Sequence, residues 1–158
     1  MIKNFFVFVL IFILACSSSD LEDALEIIEG VERKQIDTNR MGVNAFGNKP
    51  QFGTACEQFR EIKNILKLKH LRILMNWDNG VQASPNSEIN FSFYDDLVSC
   101  IPNGVDALIV VAALPGWMND SNNWQDGNPR TTFVNLWFKK VFARYSSSPK
   151  VVGFQVWN

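Results

Sequence analysis

The chain has 158 residues, of which 47% are hydrophobic, 13% aromatic and 20% charged, the make-up of one folded domain and not of a disordered, fibrous or disulfide-stapled chain. With 15 Lys and Arg against 16 Asp and Glu the net charge is −1, so the positive excess that neutralises phosphates is missing and nucleic acid is excluded as a partner. One histidine and 3 scattered cysteines exclude a Cys/His zinc centre.

The chain opens on an address. Lys3 gives a positive start, residues 5–14 are an uninterrupted apolar run, and Ala15 is the small residue at which a signal peptidase cuts. That run is about half of the ~20 residues needed to span a membrane, which disfavours a permanent transmembrane helix. Ile13-Leu14-Ala15-Cys16 resembles the lipobox of bacterial lipoproteins. The resemblance implies that Cys16 is acylated and becomes the mature N-terminus. Ser17-Ser18-Ser19 follows as a polar tether, and a serine after the cysteine implies transfer to the outer membrane. The expectation is a signal peptide over 1–15, a lipidated tether over 16–39, and localisation in the cell envelope at the outer membrane or extracellular face. Within the tether Leu21, Leu25 and Ile28 are spaced for one face of a short acidic helix.

From residue 41 the pattern alternates. Residues 41–46 read as a short strand ending in a loop that contains Gly, Asn and Pro. Thr54-Ala55-Cys56-Glu57 matches a capping box, and Phe59, Ile62, Ile65 and Leu66 follow at helical spacing. Residues 71–77 form a second strand, and Phe93, Leu97, Val98 and Ile101 one face of a second helix. Residues 107–114 are a third strand whose unbroken apolar character predicts burial on both faces of a parallel sheet. In the third helix Phe133, Trp137, Val141 and Tyr145 face inward while Lys139, Lys140 and Arg144 face water. Residues 151–157 are the fourth strand.

Cys56 thus falls in the first turn of one helix and Cys100 near the far end of the next, parallel one. The two are offset by more than about 10 Å along the axes, beyond the ~4.4–6.8 Å between Cα atoms that a bridge requires. Free thiols are expected, although a shift of a few residues in either helix would close the gap.

Alternating strand and helix means an α/β fold of parallel strands with right-handed crossovers. A doubly wound sheet and the first half of an eight-stranded TIM barrel both fit. No G-x-G-x-x-G, G-x-x-x-x-G-K-[ST] or G-x-S-x-G follows any strand, so the usual phosphate and nucleophile signatures of open sheets are missing. Functional groups in parallel α/β folds gather where strands finish. Here those positions hold Asn44, then Arg72, Asn76 and Trp77, then Trp117, then Trp157 and Asn158. Amides, an arginine and indole faces suit a neutral, hydroxyl-rich ligand, since indoles stack on the apolar face of a sugar and Asn or Arg bond its hydroxyls. Read singly, Trp77 and Trp117 fit core aromatics equally well.

Leu71-Arg72-Ile73, Leu114-Pro115-Gly116-Trp117, and the run from Phe138 through Gly153-Phe154-Gln155-Val156-Trp157-Asn158 resemble the cellulase-like glycoside hydrolases of clan A. The resemblance covers residues 41–158 and implies the first four βα units of a TIM barrel that hydrolyses β-linked poly- or oligosaccharides with retention, without metal or organic cofactor. The family's strand four usually ends Trp-Asn-Glu-Pro. Trp157 and Asn158 match the first two positions, and Arg72 the strand-two arginine that supports the nucleophile. The acid/base glutamate would follow Asn158 and the nucleophile belongs to strand seven, so the chain holds neither carboxylate of a retaining pair. This half is expected to be inactive alone, with carbohydrate and a membrane as partners and its outer strands open to self-association. Asp78, Asp120 and Asp126 lie on loops at the same end and could in principle substitute as a carboxylate pair, but read as turn-capping or solvent-facing residues, and His70, before strand two and opposite the site, reads as structural. The alternatives are a non-catalytic carbohydrate-binding lipoprotein and a purely structural envelope lipoprotein.

Overall fold

The computed structural model describes residues 37–157 apart from 46 and 48. The expected signal peptide, Cys16, the acidic helix and Asn158 lie outside the described residues. The chain runs β1 (Gly42–Ala45), α1 (Ala55–Asn64), β2 (His70–Asn76), α2 (Ser92–Cys100), β3 (Asp106–Ala112), α3 and β4 (Val151–Val156). Helix α3 comprises Pro129–Phe133, a π-helical turn at Val134–Phe138 and Lys139–Tyr145. His70 is therefore the first residue of β2 and not a residue before it, and Trp77 and Leu114 fall beyond their strands.

The α/β expectation holds. All strand pairs are parallel, and the order β1-β2-β3-β4 follows the chain without a reversal. The capping box is present: Thr54 N donates to Glu57 Oε2 at 2.8 Å and Glu57 N to Thr54 Oγ1 at 3.3 Å. These two bonds satisfy donors that the first turn of α1 would otherwise leave open. The bonds from Thr54 also hold the Glu57 carboxyl below its ordinary value. In α3 the inward residues recur every four positions, a spacing that drifts by about 40° per step on a 3.6-residue helix. The wider π turn takes up part of that drift, and Phe133, Trp137, Val141 and Tyr145 are all buried.

The core lies between the helices and one face of the sheet. Leu71, Ile73 and Met75 of β2 alternate with less buried neighbours, and Ala107, Ile109 and Val111 continue the face on β3. Against it pack Phe59 and Ile62 of α1, Leu97 of α2 and Val141 of α3. A stack of three rings anchors the upper end: Trp137 lies parallel to Trp77 at 6.3 Å and to Phe91 at 5.7 Å. The expected burial of β3 on both faces is only partly met, because on the second face Val110 is buried whereas Leu108 is half-buried.

The cysteines correct the sequence expectation: Cys56 and Cys100 are bridged, with Cα atoms 4.8 Å apart. The error lay in assuming that α1 and α2 start level. Ala45 pairs with Ile73, whereas β2 runs on to Asn76. At about 3.3 Å per residue that difference lowers the start of the first crossover by roughly 10 Å. The lowered start of α1 meets the last turn of α2.

Helix α2 is also tied to α3. Arg144 donates from Nε and Nη2 to both carboxylate oxygens of Asp95 at 2.6 Å, and the Tyr145 hydroxyl donates to Asp95 Oδ1 at 2.9 Å. The Arg144 guanidinium sits 5.0 Å over the Phe91 ring. Its hydrogen bonds, followed by that of Tyr145, hold the Asp95 carboxyl below its ordinary value. A carboxyl depressed in the folded state adds stability that is present above its unfolded pKa of ~3.9 and is lost as pH falls through the folded value. Asp95→Asn is therefore expected to lower the denaturation midpoint at neutral pH and to flatten its decline below about pH 4. Parallel curves for variant and parent across the acid range would show that the pair contributes nothing.

Candidate functional site

Strand alternation sends Asn44, Arg72, Leu74, Leu108 and Gln155 to the face opposite the core. Among the described residues no helix covers that face, and Leu74 remains 42% exposed on it. A polar line crosses the sheet there. Arg72 Nη1 donates to Asn44 Oδ1 at 3.0 Å, and Arg72 Nε reaches Gln155 Oε1 at 3.5 Å. Gln155 Nε2 in turn donates to the Trp157 carbonyl at 3.2 Å. Residues 83 positions apart are joined in this way. A planar guanidinium held by two amide oxygens keeps its fork oriented and its charge toward the open face.

Above the line, where β1 and β2 finish, lies a groove of about 550 Å³. Asn44, Arg72, Asn76 and Asp78 supply polar lining, and Phe59 and Leu97 close it toward the core. The Tyr94 hydroxyl at its wall donates to the Asn76 carbonyl at 2.7 Å, and burial, with the Asp78 charge nearby, pushes that phenol well above its ordinary value. A second hollow of about 620 Å³ lies at the ends of β3 and β4, where Leu114, Phe133, Val156 and Trp157 form an apolar floor beside Arg130.

Of the residues singled out from sequence, the structure brings Asn44, Arg72 and Asn76 into one groove. Trp157 lines the second hollow; it is 49% exposed and meets the Phe133 ring edge-on at 5.9 Å. Trp77 must be corrected. It is 0% exposed, its ring is stacked on Trp137, and it offers no face to a ligand. Trp117 is half-buried against the Trp77 ring at 5.2 Å, lines neither groove nor hollow, and donates its indole N–H to the Gln82 carbonyl at 2.9 Å.

Gln82, Gln155 and Tyr94 were not singled out from sequence. Gln82 is buried, accepts from the Trp77 indole at 2.9 Å and donates to the Ser87 carbonyl at 2.9 Å, so it folds residues 78–91 onto the end of β2. Gln155 had a readable signal, a lone amide inside an apolar strand. Two non-glycine residues with positive φ, Ala113 at 63° and Trp157 at 59°, directly follow β3 and β4.

The aspartates serve local turns. Asp78 Oδ1 accepts from Gly80 N and Val81 N at 2.9 and 3.0 Å, Asp120 Oδ1 accepts from Asn122 N at 2.9 Å, and Asp126 sits in a turn at φ 54°. His70 lies at the opposite end of the sheet, its Nε2 bonded to the Asn39 carbonyl at 2.8 Å. Compared with protein-family models, curated proteins and solved structures, the chain matches none.

Proposed function

We propose that β1 to β4 are the first four βα units of a TIM barrel of the cellulase-like glycoside hydrolase type, a fold that acts on β-linked poly- or oligosaccharides, and that they contribute sugar-binding side chains. The observation that carries the reading is the unreversed order β1-β2-β3-β4, which among the described residues leaves one face without a helix and sets Arg72 between Asn44 and Gln155 upon it. Winding in one direction is what closes a barrel, whereas a doubly wound sheet needs a reversal of order. The same face would then line the barrel interior, and the strand ends would carry the sugar site. A second reading, a non-catalytic carbohydrate-binding lipoprotein, draws support from the groove, which is built within this half alone and whose Asp78 is engaged in a turn.

Titration of the full chain in detergent with cellotetraose, followed by tryptophan fluorescence, is expected to saturate without release of sugar. Arg72→Ala is expected to weaken that binding by at least roughly tenfold. A flat response from folded protein, or equal affinity in the variant, would remove the sugar reading. The codons after Asn158 separate the two versions: Glu-Pro in frame favours the barrel half, and a stop favours the binder.

We also place the chain in the cell envelope, anchored through Cys16. The bridged Cys56 and Cys100 support export, since such bonds persist in oxidising compartments. Metabolic labelling with a palmitate analogue is expected to mark the parent and not Cys16→Ala; equal labelling would refute acylation there.

A further inference from the structure

The groove at the ends of β1 and β2 is bounded by two helices, and the wall residues closest to their junction stand in a telling relation to the bridge. Phe59 on α1 lies three positions after Cys56, and Leu97 on α2 three positions before Cys100. Each is within one helical turn of a bridged cysteine. The covalent link, with its Cα atoms 4.8 Å apart, therefore sets how far apart these two walls stand. The unit it restrains is at the margin of the fold. Among the described residues β1 pairs with β2 alone and is short, and the C-terminal end of α1 exposes Ile65 and Leu66. Besides the bridge, Gln58, Phe59 and Ile62 are buried beneath α1, and Lys63 Nζ donates to the Asn103 carbonyl at 2.9 Å. Cys56 is exposed and Cys100 half-buried, so the bridge is within reach of a reagent in solution.

We propose that the Cys56–Cys100 bridge is a redox-sensitive strut for the groove: a small dithiol opens it, α1 moves away from α2, and the groove loses its grip on an oligosaccharide. The inference rests on the sugar reading for its ligand but not for its mechanics. In the step the dithiol donates two electrons and two protons. Two thiols form at Cys56 and Cys100, the bond between their sulfurs breaks, and the reagent leaves as its own disulfide.

The test compares the full chain in detergent, oxidised and after treatment with dithiothreitol, together with the variant carrying Cys56→Ala and Cys100→Ala. Amide NMR spectra report the mechanics and cellotetraose titration reports the ligand. In both bridge-free forms the resonances of α1 and of residues 49–54 are expected to shift or broaden while those of β3 stay dispersed. Affinity for cellotetraose is expected to fall at least roughly tenfold. Unmoved α1 resonances would overturn the proposal, and so would collapse of the whole spectrum, which would make the bridge a staple for the entire fold. If the oxidised chain ignores cellotetraose, the sugar reading fails while the spectra still decide whether the strut exists.

Discussion

Trp77→Ala is expected to cost the fold ~3–5 kcal/mol in lost packing. Its ring is fully buried, lies parallel to Trp137 and meets the edges of Trp117 and Phe133. A further ~1–3 kcal/mol comes from leaving the buried Gln82 oxygen without its indole donor. A sum of this size is comparable with the whole stability of many domains, so the variant should be largely unfolded. A finer comparison keeps the point measurable. Trp137 is equally buried, yet its indole nitrogen has no hydrogen-bond partner among the described residues. Trp137→Phe should therefore lower the denaturant midpoint less than Trp77→Phe, because only the latter breaks a buried hydrogen bond. Equal losses would contradict the role given to Gln82.

The second large effect concerns the bridge as a contributor to overall stability. It closes a loop with a sequence separation of 44, for which the chain-entropy relation gives about 4 kcal/mol. At roughly 2–4 °C per kcal/mol for a chain of 150–250 residues, dithiothreitol should lower the melting temperature by ~8–16 °C. The effect should vanish in the protein carrying Cys56→Ala and Cys100→Ala, which has no bond to reduce. A melting temperature indifferent to reductant would mean that β1 and α1 are held by packing alone.

Local order was plainly legible in the residues, and long-range placement was not. The capping box at Thr54, the inward face of α3 and the alternation of β2 each follow from chemistry within a few residues. The same alternation contained the answer for Trp77: it continues the series Leu71, Ile73, Met75 and so points to the core, as observed. Its indole invited a ligand reading that parity argued against. Arg72 and Asn44 belong to the other parity and do reach the open face together. Strand order could not be read, since pairing of β3 with β4 joins residues across an entire crossover. The short β1 was read, but its register on β2, with Ala45 opposite Ile73, could not be, and the bridge depended on it. Gln82 gave no signal because its role arises from the way residues 78–91 fold back.

The left-handed backbone at Ala113 and Trp157 has an energetic consequence. Of the non-glycine residues with positive φ, Lys67 and Asp126 sit in connecting segments, whereas these two turn the chain at the tips of adjacent strands. Each such turn costs on the order of 1–2 kcal/mol in an L-residue with a β-carbon. Two of these four strained positions thus fall on adjacent strand tips along one rim, the rim where folds of this kind keep their chemistry.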